Sequence, residues 1–349
     1  MDPITHVTAG VLIAQAGRDR FPASRWLVPL AALAAWMPDL DNIVMFFGPE
    51  AYMRYHRGYT HSIVGGAVMA WLLAWITARF WREAGRARLF VLFFLCVLSH
   101  LFLDVITAYG TRIFLPFSDV RVAVSSVFIV DPVFTLSLIA LAVAGFLRPA
   151  ARRTLAVAGL ALMLAWPALG FGVARLTGVR AARLLAARGE TFEELHVQPD
   201  AFAPLWWKIV VREGDQYMLT GLDWTAPETL LPERRFERAA TDELLRLGAQ
   251  APVFARYVWF TDFPVKMVSD IPSGTQVTFA DLRFIAVNPL VARVRGAGIP
   301  FTLTADLDTA GRLTRAFFAQ VGKATEIEPL GSLVRTEAES HLPLQPGFR

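Results

Sequence analysis

The chain of 349 residues is 55% hydrophobic and only 18% charged, with a mean hydropathy of +0.44. That composition excludes an ordinary soluble enzyme and places the protein in a membrane. The net charge of +4 does not mark a nucleic-acid binder, since no basic patch interleaved with aromatics is present and many arginines sit beside apolar segments.

The N-terminus reads MDPITH, which lacks the basic stretch of a cleaved signal peptide. Asp2 followed by Pro3 has the form of an N-cap with proline at the first helical position, so a short apolar helix is expected over 4–16. Five segments of spanning length follow, at 26–47, 63–81, 89–109, 127–147 and 154–174. Cys96, the single cysteine, lies inside the third and can form no intramolecular disulfide. The connections at 18–25, 79–88 and 148–153 hold ten arginines, whereas the alternate connections hold four, namely Arg54, Arg57, Arg112 and Arg121. The positive-inside rule puts the first set in the cytoplasm and everything after Ala174 on the opposite side.

Beyond Ala174 the composition turns polar. WWKIVVRE, Gly214 and Asp215, then QYMLTGLDW read as a β-hairpin. A helix is expected around 237–247 and strands near 255–260, 276–279, 282–287 and 301–305. The expected fold class is therefore an α-helical integral membrane bundle, five spanning helices plus a short N-terminal helix, over 1–174. A C-terminal α+β extramembrane domain occupies 175–349.

Ionisable residues inside an apolar run cost several kcal/mol unless paired, hydrated or metal-bound. His100 and Asp104 stand four residues apart in the segment 89–109, on one helix face. Four of the six histidines, His6, His56, His61 and His100, fall in the first 100 residues, beside Asp39 and Asp41. On the arginine-derived topology they all converge on the outer leaflet. Imidazole and carboxylate in an apolar setting are the ligands of zinc, manganese or iron. In PDLD, Pro38 breaks the helix and the two aspartates diverge if the chain is extended. Either one is the direct ligand, with Asp39 favoured, or one bridges two metals while the other orients a histidine. Asp131 before Pro132 reads as an N-cap, and His196 and His341 as ordinary surface or domain-core residues.

MDPITH, PDLD at 38–41, HRGYTHS at 56–62 and SHLFLD at 99–104 together resemble the motifs of the YdjM-type family of membrane-bound metal-dependent hydrolases, over about the first half of the chain. That family is in turn similar to zinc-dependent phospholipase C and the fungal single-strand nucleases, all-helical phosphodiesterases with clustered zinc ions. The resemblance implies the ligand order His6, Asp39 or Asp41, His61, then His100 and Asp104. The soluble enzymes carry further histidines downstream, whereas this chain has none between positions 101 and 195, so one or two ions are expected, not three.

The expected activity is metal-assisted hydrolysis at the outer membrane interface. A carboxylate among Asp39, Asp41 and Asp104 that is not consumed as a ligand accepts the proton of the attacking water. Arg54, Arg57 and Arg112 hold an anionic headgroup or, equally, contact lipid headgroups without selectivity. A site half a leaflet deep favours a phosphoester of a lipid or other amphiphile. The competing readings are a membrane scaffold fixed by metal and an ion or proton transporter using the same residues as a relay.

Overall fold

Asp2 and Pro3 start the first helix. In the computed structural model, which describes residues 1–289, 291, 299–320 and 324–327, α1 covers Pro3–Ala16 and Asp2 accepts a hydrogen bond from the Thr5 amide at 3.0 Å. α2 (Leu27–Trp36) gives way to a 3-10 segment, Met37–Phe47, because Pro38 has no amide hydrogen with which to extend the α-helical ladder. A short helix, α3 (Pro49–Tyr55), is followed by α4 (Ile63–Phe80) and α5 (Arg86–Val105), which pack together, and by a second packed pair, α6 (Pro132–Leu147) and α7 (Arg152–Ala187). α1 lies among them, against α2, α5, α6 and α7. Its approach to α2 is so close that a Cβ on Gly10 would stand 2.5 Å from the Ala31 carbonyl oxygen, the small-residue contact typical of membrane helices.

Among the described residues, four helical runs are long and apolar enough to cross a membrane: Leu27–Phe47, Ile63–Phe80, Arg86–Val105 and Pro149–Ala187. The fifth expected span, 127–147, is helical only from Pro132 and has 16 residues. Asp131 sets that start, accepting from the Phe134 amide at 3.0 Å and from the Trp166 indole at 2.8 Å.

The change of composition at 175 does not end a helix. α7 runs on to Ala187, and its Ala181 and Leu185 pack on Ile209, Val211, Met218 and Leu222. The boundary expected at 174 thus falls inside a helix that its arginines, leucines and alanines, good helix formers, carry on past Gly178. The C-terminal domain is an antiparallel sheet in sequential order: β1 (Glu194–Pro199), β2 (Trp206–Glu213), β3 (Gln216–Asp223), β4 (Arg234–Arg238), β5 (Pro264–Ile271), β6 (Gly274–Asp281), β7 (Thr302–Leu307), β8 (Leu313–Ala319) and β9 (Ala324–Ile327). The expected hairpin is β2–β3, turning at Gly214 with φ 56°.

α8 (Thr241–Gly248) and α9 (Pro252–Phe260) lie between β4 and β5 and cover the β6–β8 end of the sheet. Three expectations change here. Residues 255–260 belong to α9 and not to a strand, because a short apolar run reads alike for either and Pro252 at the first helical position decides it. Glu237 belongs to β4, so the helix begins later, at Thr241. Leu282–Phe284 is a 3-10 turn with Asp281 as its N-cap. α9 packs against α3, and Met53 and Tyr109 enter the core around Phe254 and Phe260.

Candidate metal centre

At one end of the bundle α1, the end of α2, the segment between α3 and α4, and the last turns of α5 meet. The C-terminal carbonyls of a helix have no partner within it. The Ala35 carbonyl at the end of α2 is instead bonded by Nδ1 of His100, at 2.7 Å. After α3 the chain reverses at Arg57, with φ 55°, and a 3-10 turn at Tyr59–His61 brings His61 back toward α5. Ser62 then caps α4, accepting from the Gly65 amide at 3.0 Å.

His61 and His100 face each other with Nε2 atoms 3.1 Å apart. Asp104 Oδ2 is 3.2 Å from the first and 3.4 Å from the second. Asp39 Oδ1 stands 3.6 and 3.7 Å from the same two atoms. Ligands held tetrahedrally at zinc distances lie roughly 3.3–3.5 Å from one another. These five separations bracket that value. His61, His100 and Asp104 form one three-donor group, and His6, Asp39 and His100 a second that shares His100 with it.

Each imidazole has its other nitrogen committed. His61 Nδ1 donates to Asp41 Oδ2 at 3.0 Å, as His100 Nδ1 does to Ala35, so both Nε2 atoms present lone pairs. This is the outer-layer pattern that fixes metal-binding histidines. Two imidazole lone pairs and two carboxylate oxygens facing one another, all but sealed from solvent, form a set that could hold a cation. Burial works against charge on His61, but Asp104, Asp39 and Asp41 outweigh it and push its pKa up to about 10. Without metal, a proton takes that place. His6, fully buried and stacked on His100 at 3.7 Å, has no hydrogen bond at either ring nitrogen, its Nε2 standing 3.5 Å from Asp104 Oδ1, and Asp104 Oδ2 has contact-range neighbours in the His61 and His100 Nε2 atoms but no hydrogen bond. Such orphaned buried atoms fit a site completed by an ion.

The remaining expected residues are placed around this centre. Asp41 lies behind His61, on its Nδ1 side, and also accepts from His56 Nδ1 at 2.8 Å, the Arg57 amide at 3.0 Å and the Thr60 hydroxyl at 2.6 Å. His56, expected as a ligand, lies outside both donor groups: its ring stacks on Tyr52 at 4.7 Å and its centroid is 5.8 Å from that of His61. The side chain cannot curl back across Gly58 while Asp41 holds it. Arg57 is buried, 2.8 Å from Asp104 Oδ1 and over the Tyr109 ring at 4.5 Å. Arg112 pairs with Asp119 at 3.0 Å, bonds the Arg54 carbonyl and lies over Trp259. The Arg54 guanidinium lies over Tyr55. His196 is a surface residue paired with Glu194 at 3.0 Å, and His341 lies outside the described residues.

Several participants carry no motif signal. The Met1 amino group pairs with Asp104. From the sheet domain, Arg283 bonds the Tyr109 carbonyl at 3.1 Å and the Phe260 carbonyl at 2.5 Å. Thr60 was visible inside HRGYTHS as a hydroxyl beside a histidine, but the Ala35 carbonyl leaves no trace in the sequence.

A family model described as YdjM inner membrane protein matches residues 1–179, which contain every residue of the donor groups. The uncharacterized protein YfhP of Bacillus subtilis (strain 168) is 34% identical over 147 residues, 39% of this chain and 44% of the relative. The inner membrane protein YbcI of Escherichia coli (strain K12) is 37% identical over 93 residues, 26% of this chain and 53% of the relative. The chain thus spans about half the length of the curated relatives it matches. No solved structure matches it.

Proposed function

The chain belongs to the YdjM inner membrane protein family, and from that premise we propose that it is a membrane-bound metal-dependent hydrolase acting on a phosphoester of a lipid or other amphiphile. The observation that carries this reading is the set of four facing acceptors, His61, His100, Asp104 and Asp39, with a buried guanidinium, Arg57, against it. These four, with His6 in reserve, would hold one or two divalent ions, zinc by preference. A bound ion of this kind polarises a phosphoryl oxygen and yields hydroxide near neutral pH.

The protein's own groups supply the rest. Asp41 and the Ala35 carbonyl fix the two imidazoles. Asp39 is the donor farthest from them and keeps 11% of its side chain exposed, so it is the carboxylate suited to yield its place to water and to hold the released proton on Oδ1. Arg57, 2.8 Å from Asp104, is placed to share its charge with an anionic phosphoryl oxygen. Support for an amphiphile comes from a cavity of about 380 Å³ that reaches Met1 and Tyr109 beside the centre and combines apolar walls, among them Ile129, Val130, Phe284 and Phe301, with the charged residues Asp2, Asp200, Lys208 and Arg283. The arginine bias between alternate connections supports a non-cytoplasmic position for this end.

The test is a panel of lipid phosphoesters offered to purified protein in nanodiscs. Turnover should vanish with chelator and return with zinc or manganese. Asp39→Asn should keep metal and lose roughly 100-fold or more in rate. A second reading, a metal-fixed scaffold, is favoured by one observation: four protein donors close a tetrahedron, as in structural sites. On that reading chelation lowers only thermal stability, and metal-replete protein that turns over nothing in the panel establishes it.

A further inference from the structure

Away from the metal centre, a groove of about 790 Å³ runs between α5 and α7, with the end of α1 as its floor. α5 contributes Arg88, Leu95 and Phe102, seven residues apart and hence on one face, over ~21 Å of helix. α7 contributes Arg153, Val157, Leu160 and Leu164, again a single helical face. The lining is apolar along its length except at one end, where Arg20, Arg88 and Arg153 converge from three separate segments. Arg88 is held there by bonds to the carbonyls of Arg20 and Glu83, each at 3.0 Å. No acidic side chain lines the groove among the described residues, and Ser99, its other polar group, is already bonded to the Cys96 carbonyl at 2.7 Å.

An apolar strip longer than the ~15 Å of one leaflet, closed at one end by three cations, has the shape and charge of a single lipid. We propose that this groove is a binding site for an acidic phospholipid, with the phosphate on Arg20, Arg88 and Arg153 and an acyl chain lying past Leu95 toward Phe102. Basic pockets between membrane helices select anionic headgroups in this way. Arginines that serve topology alone have no need to meet at one groove. The site is distinct from the metal centre, and its occupancy does not depend on whether the protein is a hydrolase.

The test is native mass spectrometry of protein reconstituted in mixed phosphatidylglycerol and phosphatidylcholine nanodiscs, then released into detergent. One phosphatidylglycerol should be retained in preference to phosphatidylcholine. Retention should fall roughly tenfold or more in the Arg20→Gln, Arg88→Gln, Arg153→Gln triple variant. It should survive in the Arg79→Gln, Arg82→Gln control, which removes neighbouring charge outside the groove. Leu95→Trp, which fills the groove and keeps all three arginines, should also lose the lipid, and it decides the matter if the triple variant does not fold. Equal retention of the two lipids, equal loss in the control, or undiminished retention in Leu95→Trp overturns the proposal.

Discussion

The sheet domain and the end of the helical bundle that holds the candidate metal centre both bury charge, and they settle it by different means. In the sheet domain Lys208 donates to the carbonyls of Leu282 and Arg283 at 3.1 and 2.7 Å, and Asp200 accepts from the amides of Val287 and Asn288 at 2.6 and 3.0 Å. Arg283 sits between Asp281 and Asp262, at 2.8 Å from each. In the bundle, the Nε2 atoms of two imidazoles face each other at 3.1 Å while His6 and one Asp104 oxygen have no hydrogen bond. The first arrangement pairs its charges within the protein; the second leaves acceptors that a cation could take up. Burial of polar residues is therefore no guide to a site. The guide is whether their donors and acceptors balance.

That contrast can be broken at either end. The largest effect expected is on metal content: His61→Ala or His100→Ala should bring bound metal, measured by elemental analysis of purified protein, down to background. If both variants keep a full complement, the bundle's imbalance has another origin. Arg283→Met should leave metal per folded molecule unchanged but cost about 3–5 kcal/mol in denaturant unfolding, because it strands the fully buried Asp281. Loss of metal in that variant would show that the two regions are not separable in this sense.

Asp41→Asn should weaken metal affinity roughly 10- to 100-fold in a competition titration, the usual cost of losing a carboxylate that orients a ligand. His56→Ala removes one of several partners of Asp41 and should weaken it less than tenfold; an effect as large as that of His61→Ala would move His56 into the donor set. His196→Ala, on an exposed pair in the sheet domain, should shift stability by no more than about 0.5 kcal/mol.

The sequence disclosed the donors more readily than their arrangement. His100 and Asp104 were legible because a helix puts residues four apart on one face whatever surrounds it. Asp39 and Asp41 were legible as a pair but not in their roles. An extended PDLD turns them to opposite sides, whereas the observed 3-10 segment sets them roughly 240° apart, and only the position of His61 decides which one looks inward. The seam with the sheet domain was invisible, since Arg283 and Tyr109 meet through backbone carbonyls that any residue provides. In the fold, the hairpin at Gly214 and the N-caps at Asp2 and Asp131 followed from local chemistry. The nature of residues 255–260 did not, because short buried segments lack periodicity.

α7 holds a mechanical consequence. It is a single helix of 36 residues, ~54 Å long against a hydrocarbon core of ~30 Å, so nearly half of it stands clear as a mast to which the sheet is lashed through Ala181 and Leu185. Its interior Pro167 is the place where such a helix bends. Spanning helices answer a thicker or thinner bilayer by changing tilt, and the part of a tilt that Pro167 does not absorb is passed to the sheet and to the seam where Arg283 bonds the Tyr109 carbonyl. Membrane thickness would then bear on the cavity beside the candidate metal centre.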